Sequence, residues 1–403
     1  MEKLGLGESP VSSRGRAEGS PIVNQSRRFL SSTEVTLEAE THLGCPIWSI
    51  GVSKSGILCG CDDGSIVLLN SNLDCCFRLQ QAHGSSPVVN VSWAEDGVHF
   101  LTVGTDLTVK IWSIETTEER TAHCLYTLPQ ISPVITASFH PRTFPAVSSL
   151  ILDPTKRSPT GCTVFVLTAD RRISIWTDGQ IERYESLSSK DSSPVCMSAR
   201  LVEAVPWIAV GTKTGELLVY SFVWNKGLVF EQSTSCRNRR GKFKDGTPIV
   251  SIFWITARDL LVASQDDRLR LVRLGSKGNS PSVIAKFKGH ESSKGEVPLP
   301  AFVVSPPFGD KVVQSGSECG RIFIWSLKRT LVPTPKKNGF SLFNNVSSAS
   351  RPLDSWTAIS SSDKLTCVAP APWVPEKGQL GTSCTVTGSL DGVVKLFLCR
   401  YDA

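Results

Sequence analysis

His83, Thr102 and Asp106 are of the residue types that build a nucleophilic triad: an imidazole, a hydroxyl and a carboxylate. Asp62-Asp63 and Asp266-Asp267 are paired carboxylates of the kind used in acid–base work. Cys59 and Cys61 are spaced to share one side of a strand, with Cys45, Cys75 and Cys76 close in sequence. Arg237, Arg239, Arg240, Lys242 and Lys244 put five cations into eight residues, which could hold an acidic peptide, a phosphate group or an anionic membrane surface. Each set has a plainer reading. The paired Asp residues fall in turns, where Asp bonds the backbone. A zinc site needs about four converging ligands, and no CxxC pair supplies them, so the thiols read as small buried side chains. No phosphate-binding loop, dinucleotide-binding GxGxxG, HExxH or GxSxG elbow occurs. Neither an enzyme nor a cofactor or metal site has positive support.

The elements that must position these residues repeat seven times. Each copy opens with a short apolar alternation, usually after Pro or Val, followed by a small-residue strand with a turn. A strand that ideally ends in Trp completes it. The second copy reads PVVNVSW (87–93), HFLTVGTD (99–106) and LTVKIWSI (107–114); the sixth reads PLPAFVVS, VVQSGSECG and RIFIWSL (298–327). The first spans 46–70, and the third begins PVITASFHP (133–141) and resumes at 164–176. The fourth is PVCMSARL with 207–220, the fifth PIVSIFW with 260–272, and the seventh LTCVAPAPW with 384–397. A period of about 40–50 residues with three β-type runs per copy is the signature of a propeller. A fourth strand follows each copy in the linker, as in CCFRLQ (75–80) and VIAKFK (283–288).

After the seventh copy only Cys399 to Ala403 remain. EVTLEAETHLG (34–44) precedes the first copy, so Val35–Ala39 is expected to supply the outer strand of the seventh blade and close the ring. The expected domains are a disordered tail over 1–31, holding Ser9-Pro10 and Ser20-Pro21, and one seven-bladed propeller over 32–403. Insertions are expected at 142–161 and 328–364.

The chain has 403 residues, more than one hydrophobic core usually organises, and a repeat fold escapes that limit because each unit packs only on its neighbours. With 40% hydrophobic and 8% aromatic residues it is globular in composition. The net charge of +6 is spread out, and the basic run offers only Phe243 for stacking, which argues against nucleic acid. No stretch approaches the ~20 apolar residues of a membrane span, and MEKLGLGESP lacks a signal-peptide core. The thirteen Cys are therefore expected to stay reduced, in the cytosol or nucleus.

Over about 46–397 the pattern resembles the WD40 repeat family, although no Trp is followed by Asp. The resemblance implies a seven-bladed all-β propeller that binds proteins and does no catalysis. It also implies a buried relay of linker His, strand hydroxyl, turn Asp and strand-ending Trp, which copy two carries in full as His83, Thr102, Asp106 and Trp112. The Trp position otherwise holds Leu69, Trp176, Tyr220, Val272, Trp325 and Phe397, and the Asp position Asp63, Asp170, Thr214, Asp266, Cys319 and Asp391. On this reading the triad-like sets are structural.

The second half is similar to the WD repeat-containing protein 44 group, Rab-associated proteins of endosomal recycling. The carrying segments are SCRNRRGKFKDGTPIVSI (235–252), LLVASQDDRLRLV, VVQSGSECGRIFIWSL and GSLDGVVKLFLCR (388–400). That group's Rab and membrane contacts lie largely in a long region ahead of its propeller, and about thirty residues precede the first strand here. The resemblance implies a scaffold or adaptor in endosomal or Golgi vesicle traffic, with a small GTPase among its protein partners. Two alternatives stand beside it. Arg239-Arg240-Gly241 is similar to the paired-arginine motif of phosphoinositide-binding propellers, which makes anionic lipid a candidate partner, although Asn238 stands where an aromatic or Leu usually does. The other alternative is a subunit of a nuclear complex.

Overall fold

The computed structural model describes residues 32–115, 120–144, 161–188, 192–238, 245–276, 279–289, 299–306, 311–327, 350–359, 363–373 and 382–402. They form seven four-stranded antiparallel sheets, and every named element among them is a strand. After β1 (Ser32–His42), the first blade is β2 (Ile47–Ser53), β3 (Gly56–Cys61), β4 (Ile66–Leu69) and β5 (Cys75–Leu79). The second is β6 (Val88–Trp93), β7 (His99–Gly104), β8 (Thr108–Glu115) and β9 (Thr121–Pro129). The third is β10 (Val134–Phe139), β11 (Thr163–Thr168), β12 (Arg172–Thr177) and β13 (Gln180–Ser186). The fourth is β14 (Pro194–Val202), β15 (Val205–Thr212), β16 (Glu216–Val223) and β17 (Gly227–Ser235). The fifth is β18 (Ile249–Trp254), β19 (Asp259–Ser264), β20 (Arg268–Arg273) and β21 (Ser282–Lys288). The sixth is β22 (Ala301–Val304), β23 (Val312–Gly316), β24 (Arg321–Ser326) and β25 (Asp354–Thr357). The seventh is β26 (Leu365–Ala371), β27 (Thr382–Ser389) and β28 (Val393–Asp402), with β1 as its fourth strand.

The ring follows from where the apolar residues go. Second and third strands are buried on both faces, as in β3 and β11, where every residue is buried. One sheet cannot cover both of its own faces, so each blade must lie between two others. Eight apolar clusters result among the described residues, each filled chiefly by two adjacent blades, and blades six and seven share two of them. The one between the first and last joins Ile47, Cys59 and Leu69 to Cys367, Val386 and Leu396. First strands pack on first strands around the ring, and β2 packs on both β6 and β26.

Two irregularities recur with the repeat. Six first strands carry a one-residue shift near their start, for example between Ile47 and Ser49 and between Val88 and Asn90. Outer strands shift beside the residue at the Trp position, as at Trp112 and Trp176. β1 shifts between Leu37 and Ala39, opposite Phe397 and Leu396. It thus meets β28 as the other outer strands meet their neighbours, and it runs over Ser32–His42, longer than the Val35–Ala39 core in the sequence.

The residue after the turn Asp position adopts positive φ in all seven blades: Gly64, Leu107, Arg171, Gly215, Asp267, Gly320 and Gly392. Gly64 has a steric reason as well, because a Cβ there would collide with the carbonyl of Gly84 in the linker.

The stretch 328–364 is more than an insertion. β25 lies inside it and pairs with β24 from Arg321↔Thr357 to Ile324↔Asp354. A four-residue DSWT strand within Ser- and Asn-rich surroundings has too few alternating positions to stand out. Residues 328–349 of that stretch, 145–160 of the 142–161 loop, and the tail 1–31 with its Ser-Pro sites lie outside the described residues. The first residues of the 142–161 loop are anchored: Thr143 and Thr163 exchange hydrogen bonds, and Phe144 stacks on His99 at 3.7 Å.

Candidate functional site

Antiparallel order places the turns between second and third strands, the linkers, and the starts of first strands at one end of every blade, here called the turn face. In blade two this end carries the sequence-derived set. The neutral imidazole of His83 donates from Nδ1 to Asp106, 3.0 Å away, and accepts at Nε2 from the Thr102 hydroxyl at 2.7 Å. Thr102 Oγ1 in turn accepts from Trp112 Nε1 at 2.9 Å. Asp106 also receives Thr108 N and Oγ1, which fixes the tight turn around Leu107. Burial, opposed by the Asp106 carboxylate, holds the His83 imidazole below its ordinary value, so it is neutral at pH 7.

This chain of contacts has the connectivity of a triad without access. Thr102 is fully buried, and its oxygen is already engaged by the Trp112 indole. A nucleophile needs room for a reacting atom about 3 Å away. What the arrangement does is satisfy three buried polar groups and a half-buried carboxylate at once, which would otherwise destabilise the blade.

Other blades meet the same requirement with different atoms. Trp176 Nε1 donates to Ser174 Oγ, which bonds Gln130 in the linker. Trp325 Nε1 reaches the Lys288 carbonyl at 3.2 Å. In blade four the hydroxyl of Tyr220 accepts from Ser188 N, and Ser192 bonds Thr214. Blade five departs furthest. Val262 and Val272 occupy the hydroxyl and Trp positions, and Asn238 stands in the linker. The fully buried Arg270 fills the space between them. Its guanidinium holds Asp266 through both nitrogens and reaches Asn238 Oδ1, while Asn238 Nδ2 donates to Asp266 at 2.8 Å. Asn238, which stands before the arginine pair of the basic run, is thus an anchor of blade five. The detectable signal was Arg270 at a position that alternates with core leucines in RLRLV.

Of that run, Arg237 donates to the Thr214 carbonyl at 3.0 Å and faces Glu216 at 3.6 Å. Arg239, Arg240, Lys242 and Lys244 lie outside the described residues.

The turn face also exposes large apolar side chains that sequence reasoning missed. Trp48, at the shift in β2, is partly exposed and donates its indole N–H to Asp62 at 2.7 Å. Leu107 stands at the tip of the blade-two turn, and Ile131, in the next linker, is 77% exposed. Gln130 N bonds the Leu107 carbonyl, which joins the turn to that linker. Shifted strand registers and left-handed turn residues have no simple sequence signature, which is why these three side chains were not singled out.

Among the described residues, no helix is long and apolar enough to cross a membrane. A comparison with curated proteins finds no match. The family model described as WD domain, G-beta repeat matches residues 74–113. That stretch runs from the outer strand of blade one through the linker His83 to Trp112, the copy in which the relay is complete. Proteins of this family generally act as non-catalytic scaffolds that bind other proteins. The repeat match and the seven four-stranded blades together support the WD40 family for this chain.

Proposed function

We propose that this protein is a non-catalytic interaction scaffold or adaptor in a multiprotein assembly, and that it docks partners on the turn face of blades one to three. The observation that carries this reading is the apolar surface of Trp48, Leu107 and Ile131 at one end of adjacent blades, above polar groups that are already satisfied. Exposed aromatic and aliphatic side chains on a rigid frame are typical binding anchors. The test is affinity purification with mass spectrometry from the native cell, comparing wild type with a Trp48→Ala/Ile131→Asp variant. Specific partners should be captured by wild type and depleted at least tenfold by the variant. Equal capture by both would remove the turn face from the proposal, and capture of none would remove the scaffold.

The finer placement is endosomal or Golgi vesicle traffic with a small GTPase among the partners, supported by the likeness of the second half to the WD repeat-containing protein 44 group. A second reading, peripheral binding to anionic membrane lipid, is supported by the five cations of Arg237–Lys244, the first of which adjoins the anchored Asn238. It predicts liposome binding that requires anionic lipid and falls with salt. An Arg239→Ala/Arg240→Ala variant that binds such liposomes as well as wild type would rule it out.

A further inference from the structure

The sulfurs of Cys45 and Cys61 and a carboxylate oxygen of Asp63 lie within 4.8 Å of one another. Cys45 is half-buried in the link between β1 and β2, whereas Cys61, at the end of β3, is fully buried. Ile47 pairs with Cys61, and Asp62 N donates to the Pro46 carbonyl, so Cys45 lies diagonally across the same ladder from Cys61. Arg78, from β5, reaches into the group. Its Nη2 lies 3.1 Å from Cys45 Sγ, 3.0 Å from Asp63 Oδ2 and 3.2 Å from Ser65 Oγ, and Nη1 donates to the Leu43 carbonyl at 2.9 Å. Two thiols and one carboxylate fall short of a four-ligand zinc site, and the guanidinium already occupies the place of a cation.

We propose that Cys45 and Cys61 form a thiol-oxidation site, in which a hydroperoxide converts the pair into a disulfide. A half-buried sulfur beside an arginine is the setting in which cysteines react. Cys45 attacks the peroxide: an S–O bond forms, the O–O bond breaks, and the leaving oxygen departs as water (or an alcohol) with the thiol proton. The Cys61 sulfur then attacks the sulfenic acid, the S–S bond forms, and the hydroxyl leaves as a second water with the Cys61 proton. Two electrons pass from the thiols to the peroxide. Burial, with Cys45 beside it, pushes the Cys61 thiol up and shields it from peroxide, so the half-buried Cys45 is the sulfur oxidised first. The sulfurs must close to about 2.05 Å, which brings a side chain of the β1–β2 link onto one at the end of β3.

The site's position gives the bridge a consequence. The Cys45 link joins β1, which pairs with β28 in the last blade, to β2 of the first, and Leu43 N bonds the Gly392 carbonyl at 2.8 Å. A bridge from this link to β3 fastens the seam of the ring.

The experiment treats the reduced full-length protein with hydrogen peroxide and maps thiols by differential alkylation and peptide mass spectrometry. The expected result is a Cys45–Cys61 linked peptide that dithiothreitol reverses, and a raised melting temperature in the oxidised form. A Cys61→Ala variant should instead accumulate sulfenic acid at Cys45, trapped by dimedone. The exposed Cys75 and Cys124 report general oxidation. If they oxidise while Cys45 and Cys61 both remain alkylatable, or if Cys45 pairs with another cysteine, the site is wrong. A bridge that leaves the melting temperature unchanged would overturn the seam role.

Discussion

His83 and His140 set how this fold responds to acid. His140 is buried against Phe165, Phe222 and Trp224, and burial, with Arg142 nearby, lowers its value to about 4. His83 is lowered as well, chiefly by burial. Both values lie below that of an unfolded histidine, so between them the unfolded chain binds more protons. The stability they contribute is therefore complete above about pH 6.5 and is lost as pH falls. For His140 the loss is complete a little below pH 4 and amounts to about 3 kcal/mol. Urea unfolding across pH 7 to 4 should show this slope, and His140→Phe should flatten it; an equally steep variant would point to other groups. The residue scale was partly legible. Thr102, Asp106 and Trp112 could be aligned because copy two keeps all four types, whereas Arg270 replaces the pattern with different chemistry.

At the scale of elements, blade five shows that the turn needs a satisfied carboxylate more than it needs a particular partner. Asp266 and Arg270 are both buried, and each compensates the other. Removing one leaves a buried charge, and Asp266→Ala or Arg270→Met alone should cost about 3–5 kcal/mol. The double variant Asp266→Leu/Arg270→Met should lose less than either single one, measured by denaturant unfolding; additive losses would mean the two act independently. β1 offers a second test. Its pairs run from Ser32↔Asp402 to His42↔Val393, so deleting residues 32–41 leaves the edge of β28 unpaired. The deletion should aggregate or melt well below wild type, and an unchanged melting temperature would refute a closing role. Strand existence was readable from alternation in most blades. β25 was not, because four residues carry too little pattern.

For the whole molecule, the ring separates what is buried from what is offered. Its inter-blade clusters hold the apolar strands, and the turn face is left with linkers and turns. On that face Ile131 stands free beside the fixed turn of Leu107, and its replacement by Asp touches no core contact. Ile131→Asp alone should therefore leave the melting temperature within about a degree while weakening partner capture. A loss of folding would instead show that this linker is structural.

The sequence by itself determined the number of blades and the architecture, because a repeated alternation with buried second strands can be covered only by neighbours on both sides. Its resemblance to a known repeat also marked His83, Thr102, Asp106 and Trp112 as one set. Only the tertiary structure decided which atoms satisfy one another in the divergent copies, since Asn238 and Arg270 lie 32 residues apart and meet by folding. It likewise decided that Cys45 and Cys61 face each other beside Arg78 and that Trp48 and Ile131 look outward. These depend on register shifts, turn handedness and ring geometry, which residue types alone do not encode.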